Sequence, residues 1–513
     1  MVCAAARAAH NCDPMQGNKN MEQLSGLDAA FVYLDARNAP MHVGGLHIYQ
    51  PESGGFDFED FRVHIAACIE GSPLFRRRLV QVPLHLGRPF WAEDPNFELD
   101  LHLQHSALPR PADWTRLCEL AARMYSRPLD PERPLWHLTF VSGLDVAGKF
   151  PPGSFAVISR VHHAAADGLG TLDMFNAVWS AEPRRRKRKT VGTRRAPVEP
   201  VPGAMGLLKR SFGGVFRQPG ETLSWAASLL RGGLGAGREF IARDHHAPPM
   251  LFQAPRSPFN VPISSRRCFD AAKLPLDEVR SIRAAVPGAT VNDVVLAVCS
   301  GGLRRYLQTY GSLPDKDLVA MAPISIRKEM EKGANRVSAM LIPLEVGARD
   351  PVERLRRIHA HAVDSKAYTD AIGAATLADT SRFVPYSLAT AAAGLYSGLH
   401  LARYHRPPFN LVITNVPGPR EPLYLGTAKL LEGFGTAPVL DGLGLILVVT
   451  SYMDTLSVSA TAAHEAVPDV ERLIEAIRES FAELRDAVAA RATRKAARGR
   501  APRPRVKRAQ GAG

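Results

Sequence analysis

Val161-His162-His163-Ala164-Ala165-Ala166-Asp167-Gly168 follows directly on a run of β-forming residues, Phe155-Ala156-Val157-Ile158-Ser159-Arg160-Val161. It precedes an apolar pattern of helical spacing at Leu172, Phe175, Val178 and Trp179. Two adjacent histidines, and an aspartate four residues on, are therefore expected where a strand ends and a helix begins. Such junctions hold side chains at an open edge while the backbone behind them is fixed.

The residue types suit acid–base chemistry. A neutral imidazole accepts a proton near pH 7, its ordinary pKa being about 6.5. Neighbours in extended backbone point opposite ways, so only one of His162 and His163 faces a given cavity. His163 forms the tighter unit with Asp167 and is the candidate base; His162 stands beside it. Two other readings compete. The pair could be satisfied core histidines beside a helix-starting aspartate, or part of a metal site. No cysteine or acid joins them at a ligand spacing, so no metal is expected.

The pattern HHxxxDG is shared by chloramphenicol-acetyltransferase-like acyltransferases and peptide-synthetase condensation domains. The rest of the chain resembles the bacterial wax ester synthase/diacylglycerol acyltransferase family. The similar stretches are Leu24-Ser25-Gly26-Leu27-Asp28, Pro40-Met41-His42-Val43-Gly44, Pro134-Leu135-Trp136 with Gly143-Leu144, Val291-Asn292-Asp293-Val294-Val295-Leu296, Pro323-Ile324-Ser325-Ile326-Arg327 and Thr414-Asn415-Val416-Pro417-Gly418-Pro419. They keep the family's order over residues 21 to 490.

The resemblance implies an α/β fold of two chloramphenicol-acetyltransferase-like halves, each a mixed β-sheet with helices, forming a channel at their interface. It implies an acyl-coenzyme A-dependent O-acyltransferase that esterifies diacylglycerol or long-chain alcohols, without an acyl-enzyme. Acyl-coenzyme A is then a co-substrate, and no cofactor is expected. In the superfamily an arginine pairs with the motif aspartate and holds the loop, which makes Arg76, or its neighbour Arg77, the expected partner of Asp167, with Gly168 a supporting residue of the motif. The resemblance also brings Asn292, beside Asp293, near the reacting thioester carbonyl. The structural reading of that stretch is a capping box, because Thr290 and Asp293 have the required spacing. Two competing functions are an amide-forming condensation enzyme, which would want a carrier protein, and a non-catalytic lipid-binding or droplet-coating protein.

At 513 residues the chain exceeds one ordinary core. The six cysteines form no C-x-x-C pair, which reads as reduced thiols in a cytoplasm. The net charge of +14 is local: residues 184–195 hold eight Lys/Arg and residues 491–513 hold nine, with no acid in either. Without them the remainder is close to neutral. Basic strings are usually solvated, but they are also drawn to anionic lipid by about 1 kcal/mol per residue near the surface. Peripheral contact with the inner membrane face or a lipid droplet is thus expected. Nucleic acid is not, since no recognised binding module accompanies the strings.

The expected divisions are a flexible leader, 1–20; an N-terminal half carrying the motif, 21–182; a basic, Pro/Gly-rich crossover with an apolar helix at 223–241, 183–265; a C-terminal half, 266–490; and a disordered basic tail, 491–513. Met21 begins the family-like text. His42 and His47 fall on opposite faces of one strand and read as structural, as does Trp136. Antiparallel strands are predicted at 138–141 and 155–161, and a hairpin about Met453-Asp454-Thr455. The last helix should bury Val470, Leu473, Ile474, Ile477, Phe481 and Leu484. Residues 384–402 suit a buried helix better than a spanning one.

Overall fold

The computed structural model describes residues 21–52, 55–70, 72–144, 150–166, 177–184, 200–215, 249, 252–325, 337–372, 395–396 and 398–499. Two six-stranded mixed sheets organise them, with a three-stranded sheet at one side.

The first sheet is ordered β12-β13-β2-β7-β6-β5. Its centre is β7 (Phe155–His162), in which every residue is buried. Such a run needs cover on both faces. Ala156 and Ile158 pack with α3 (Trp114–Tyr125), whereas Phe155, Val157 and Val161 pack with α2 (Phe58–Glu70). Strand β2 (His42–Gln50) pairs antiparallel with β7, setting His42 opposite His162. Strand β6 (Trp136–Ser142) flanks β7 antiparallel, and β5 (Leu103–Ala107) adds to β6 in parallel. The three-stranded sheet is β1 (Glu22–Gln23), β4 (Phe90–Glu93) and β3 (Arg77–Val80).

The second sheet is ordered β10-β9-β11-β14-β15-β8. Strands β9 (Val319–Ser325), β11 (Leu411–Val416) and β14 (Leu445–Tyr452) run parallel, while β10 (Val337–Pro343), β15 (Thr455–Ala463) and β8 (Arg267–Pro275) complete it antiparallel. The hairpin expected at Met453-Asp454 joins β14 to β15. Four helices share this core: α6 (Leu276–Ala284), α7 (Val291–Thr309), α8 (Pro351–Ile372) and α9 (Val470–Gly499). All six apolar residues predicted for the last helix are buried. Helices α7 and α9 touch backbone to side chain: a Cβ on Gly302 would meet Ile477 Cγ1 at 2.5 Å.

Four expectations change. Strands β12 (Tyr424–Leu425) and β13 (Ala428–Thr436) belong to the first sheet, where β13 pairs antiparallel with β2; a sequence boundary at 266 therefore does not divide the fold. Residues 252–265 pack with the second core through Phe259 and Ile263, so the crossover ends earlier. Residues 491–499 are not disordered but continue α9, because alanine, arginine and lysine all favour helix and glycine stops it. Leu395 and Leu399 are exposed and not buried. The crossover also carries α5 (Ala204–Val215), whose Leu207 joins Val80, Val82 and Phe90. Helix α6 (Leu276–Ala284) follows β8. The leader, the apolar stretch 223–241, residues 500–513, Asp167 and Gly168 lie outside the described residues.

Polar contacts stitch the first sheet and its covering helix α3 to the second sheet. Trp114 Nε1 donates to Asp270 Oδ1 at 2.6 Å, Ser459 Oγ to the Gly435 carbonyl at 2.6 Å, and the Thr436 and Thr461 hydroxyls meet at 2.9 Å.

Candidate active site

The histidine pair sits at the predicted junction: His162 ends β7 and His163 opens the short helix α4 (His163–Ala166). The two backbones are held from different sides. His162 N–H donates to the Leu135 carbonyl at 2.9 Å, and His163 N–H to the Met41 carbonyl at 2.8 Å. His163 thus lies past the strand, where strand alternation no longer applies, and both rings meet α1, His162 at Asp35 and His163 at Phe31.

The His162 ring is buried, and its Nδ1 accepts the Ala164 N–H at 3.1 Å. In the neutral ring the proton is therefore on Nε2, which lies 3.7 Å from Asp35 Oδ2. The same carboxylate, through Oδ1, accepts the Met41 N–H at 3.0 Å. The His163 ring is half-buried and stacks on Phe31, with centroids 3.7 Å apart and planes inclined by 17°. Its Nδ1 is buried, which leaves Nε2 as the nitrogen for a reacting group.

Helix α1 (Gly26–Leu34) supplies this cover. It starts at Ser25, whose hydroxyl caps the Asp28 N–H, and Asp35 closes it. It packs Ala29 with Leu24, Leu79, Leu135 and Ala164. Phe31 and Asp35, four residues apart, thus each meet one histidine. Neither was singled out for the site from sequence; the four-residue spacing was the available signal.

Three other histidines of the sheet, His42, His47 and His137, are unsuited to take a proton. Burial, reinforced by Arg160, His162 and Arg267, lowers His42 to about 3. Burial lowers His47 to about 4, and burial with Arg160 lowers His137 to about 4. Arg160 itself is pushed down to about 10 by burial, and its Nη1 donates to the Arg127 carbonyl at 2.7 Å. His42 and His47 face opposite sides, near Tyr125 and Trp179 respectively, and Trp136 is buried with Nε1 donating to the Phe75 carbonyl.

In the second half, Asp293 completes the capping box. It accepts the Thr290 N–H at 2.7 Å, its own N–H donates to Thr290 Oγ1 at 3.2 Å, and it meets His359 Nδ1 at 2.9 Å. Asn292 Oδ1 receives the Asn415 amide at 3.5 Å. The Val291-Asn292-Asp293 and Thr414-Asn415-Val416 stretches are thus brought together. Gly418 follows because a Cβ there would stand 2.0 Å from the Ser451 carbonyl oxygen. The Arg76 guanidinium lies over the Phe97 ring at 5.6 Å, Arg77 pairs with Glu22 at 3.2 Å and Arg78 faces Asp94 at 3.9 Å. The expected Arg76–Asp167 pair lies outside the described residues. Among the described residues no three His, Cys, Asp or Glu gather as metal ligands, and no helix is long and apolar enough to cross a membrane.

Residues 24–295 match the wax ester synthase/diacylglycerol acyltransferase catalytic domain, and residues 333–485 the C-terminal domain of the same family. A protein of Mycobacterium tuberculosis named a putative diacylglycerol O-acyltransferase is 34% identical over 469 residues, covering 91% of this chain and all of that protein. The solved wax ester synthase/diacylglycerol acyltransferase of Marinobacter aquaeolei VT8 superposes with a TM-score of 0.62 at 28% identity, covering 91% of this chain and all of the other. A trichothecene 15-O-acetyltransferase of Fusarium sporotrichioides shares the fold, with a TM-score of 0.53 at 13% identity over 90% of this chain and 95% of that one.

Proposed function

The chain belongs to the wax ester synthase/diacylglycerol acyltransferase family and is an O-acyltransferase; from that membership we propose a direct, base-assisted transfer centred on His163. The acyl group comes from acyl-coenzyme A and goes to the hydroxyl of diacylglycerol or a long-chain alcohol. His163 Nε2 takes the hydroxyl proton as the oxygen bonds to the thioester carbonyl carbon. The tetrahedral intermediate collapses, the C–S bond breaks, and the imidazolium returns the proton to the thiolate. Ester and free thiol leave, and no bond to the protein forms. Asp167, with Arg76 as its proposed partner and Gly168 next in the motif, is assigned a supporting role and carries no proton itself.

One observation carries this reading. His163 is a half-buried imidazole with its backbone tied to Met41 and one ring face covered, while His42, His47 and His137 are held too acidic to act as bases. A positioned base contributes about a hundred- to ten-thousand-fold, or roughly 3–5 kcal/mol. His163→Ala should lose that much ester formation from labelled palmitoyl-coenzyme A while melting like wild type. Equal turnover in the two proteins would remove His163 from the chemistry. A panel of diacylglycerol, monoacylglycerol and fatty alcohols identifies the acceptor.

Contact with an anionic lipid surface is part of the same proposal. The basic runs at 184–195 and 491–513 support it. So do the exposed Phe252, Leu395, Leu399 and Tyr404, and Arg256, whose Nη2 donates to the carbonyl of Arg403 beside Tyr404. Truncation after Ala490 should weaken binding to vesicles containing anionic lipid; unchanged binding would exclude the tail.

A further inference from the structure

We propose that the end of α1 is a two-point clamp on the histidine pair, with Asp35 as a positioning residue for His163 and Phe31 as the face against which its ring is set. The proposal rests on His163 being the base.

Asp35 acts through two routes that end on the same residue. Its Oδ1 holds the Met41 N–H at 3.0 Å, and the Met41 carbonyl holds the His163 N–H at 2.8 Å. Its Oδ2 lies 3.7 Å from His162 Nε2, and His162 Nδ1 accepts the Ala164 N–H, the amide just after His163. A carboxylate beside Nε2 favours the tautomer with its proton there, which leaves Nδ1 free to accept that amide. The main chain on either side of His163 is therefore fixed to one side chain. Four residues earlier on the same helix, Phe31 stacks on the His163 ring at 3.7 Å and limits its rotation.

Asp35 reaches no reacting atom in this scheme. Its removal should slow turnover through misplacement of the imidazole, and a displacement of about 1 Å can cost on the order of a hundredfold. Asp35→Ala is expected to lower kcat about 10- to 100-fold, with KM for palmitoyl-coenzyme A unchanged. Asp35→Glu should restore most of kcat, because a carboxylate is again present. Phe31→Leu, which keeps an apolar contact but loses the flat ring, should lower kcat by a smaller factor. Melting temperatures are recorded for each variant.

The deciding measurement repeats Asp35→Ala in the His163→Ala protein. A residue acting through His163 has nothing left to position there, so residual turnover should not fall further. Equal proportional losses in the two backgrounds would overturn the clamp, as would wild-type kcat in either Asp35→Ala or Phe31→Leu. If His163→Ala keeps full turnover, the base assignment fails and the clamp with it. If His163→Ala is inactive while Asp35→Ala is unaffected, the clamp alone fails.

Discussion

The two sheets make different demands on the chain. The second takes all six strands from residues 267–463, and its core, Ala39 apart, from residues 259–484. The first takes β2, β5, β6 and β7 from residues 42–162 but needs β13, from residues 428–436, to cover β2. The histidine pair is on the sheet that is incomplete without the C-terminal half. A site beside such a sheet is organised only after nearly the whole chain is present.

Replacing residues 424–436 by a short flexible linker gives the largest expected effect. Leu425, Leu430 and Phe434 are buried there. Each such loss costs about 2–5 kcal/mol, and together they rival the net stability of about 5–15 kcal/mol of a whole protein. Circular dichroism should then show the first half unfolded, acyl transfer gone and a separate transition remaining for the second half. A single cooperative transition near the wild-type temperature would show that the first sheet does not depend on β13.

Acid should also distinguish the halves. His42 is neutral in the fold down to about 3, against an ordinary value of 6.5; burial is the main cause, with Arg160, His162 and Arg267 adding to it. Above pH 6.5 both folded and unfolded chains carry this group neutral. Below it the unfolded chain binds a proton that the folded chain does not, so stability falls continuously from pH 6.5 towards 3. At pH 4.5 the loss from this residue is about 3 kcal/mol as an upper value. Melting curves between pH 7 and 4.5 should fall less steeply for His42→Gln than for wild type; parallel curves would dissociate acid lability from the first sheet.

Asp293 marks the opposite case, a motif residue whose visible work is structural. Asp293→Ala removes the side-chain half of the capping box, leaving the Thr290 hydroxyl as the cap and the Thr290 N–H and His359 Nδ1 without the carboxylate. The expected cost is about 2 kcal/mol of stability, with activity falling only as the folded fraction falls. A large loss of kcat at unchanged melting temperature would place Asp293 in the chemistry.

What the sequence made legible were features with a local period. The strand into His162, the stripe of α9 and the Thr290–Asp293 box each depend on residues within a turn or a strand of one another. What it hid was non-local or masked by charge. Nothing near residue 430 says that β13 pairs with β2 and not with a strand of its own half. Nothing near residue 31 says that α1 lies over a helix 130 residues later, so Phe31 and Asp35 were not distinguished from ordinary helix residues. The basic composition of 491–499 suggested a solvated string and concealed a segment of good helix formers. The family resemblance located Asn415 in a shared stretch, but only the fold brings its amide to Asn292.

That amide pair gives the smallest effect and the sharpest test of the contrast. The Asn415-to-Asn292 contact is long, at 3.5 Å, so its deletion should cost at most about 0.5–1 kcal/mol. If Asn292 meets the thioester carbonyl, Asn415 only turns its amide. Asn415→Ala should then change kcat by a few-fold at most, and Asn292→Ala by clearly more. A hundredfold loss in Asn415→Ala, at unchanged melting temperature, could not come from a weak orienting contact. The second sheet would then also supply a group to the reaction, and the division between a chemical sheet and a scaffolding sheet would have to be given up.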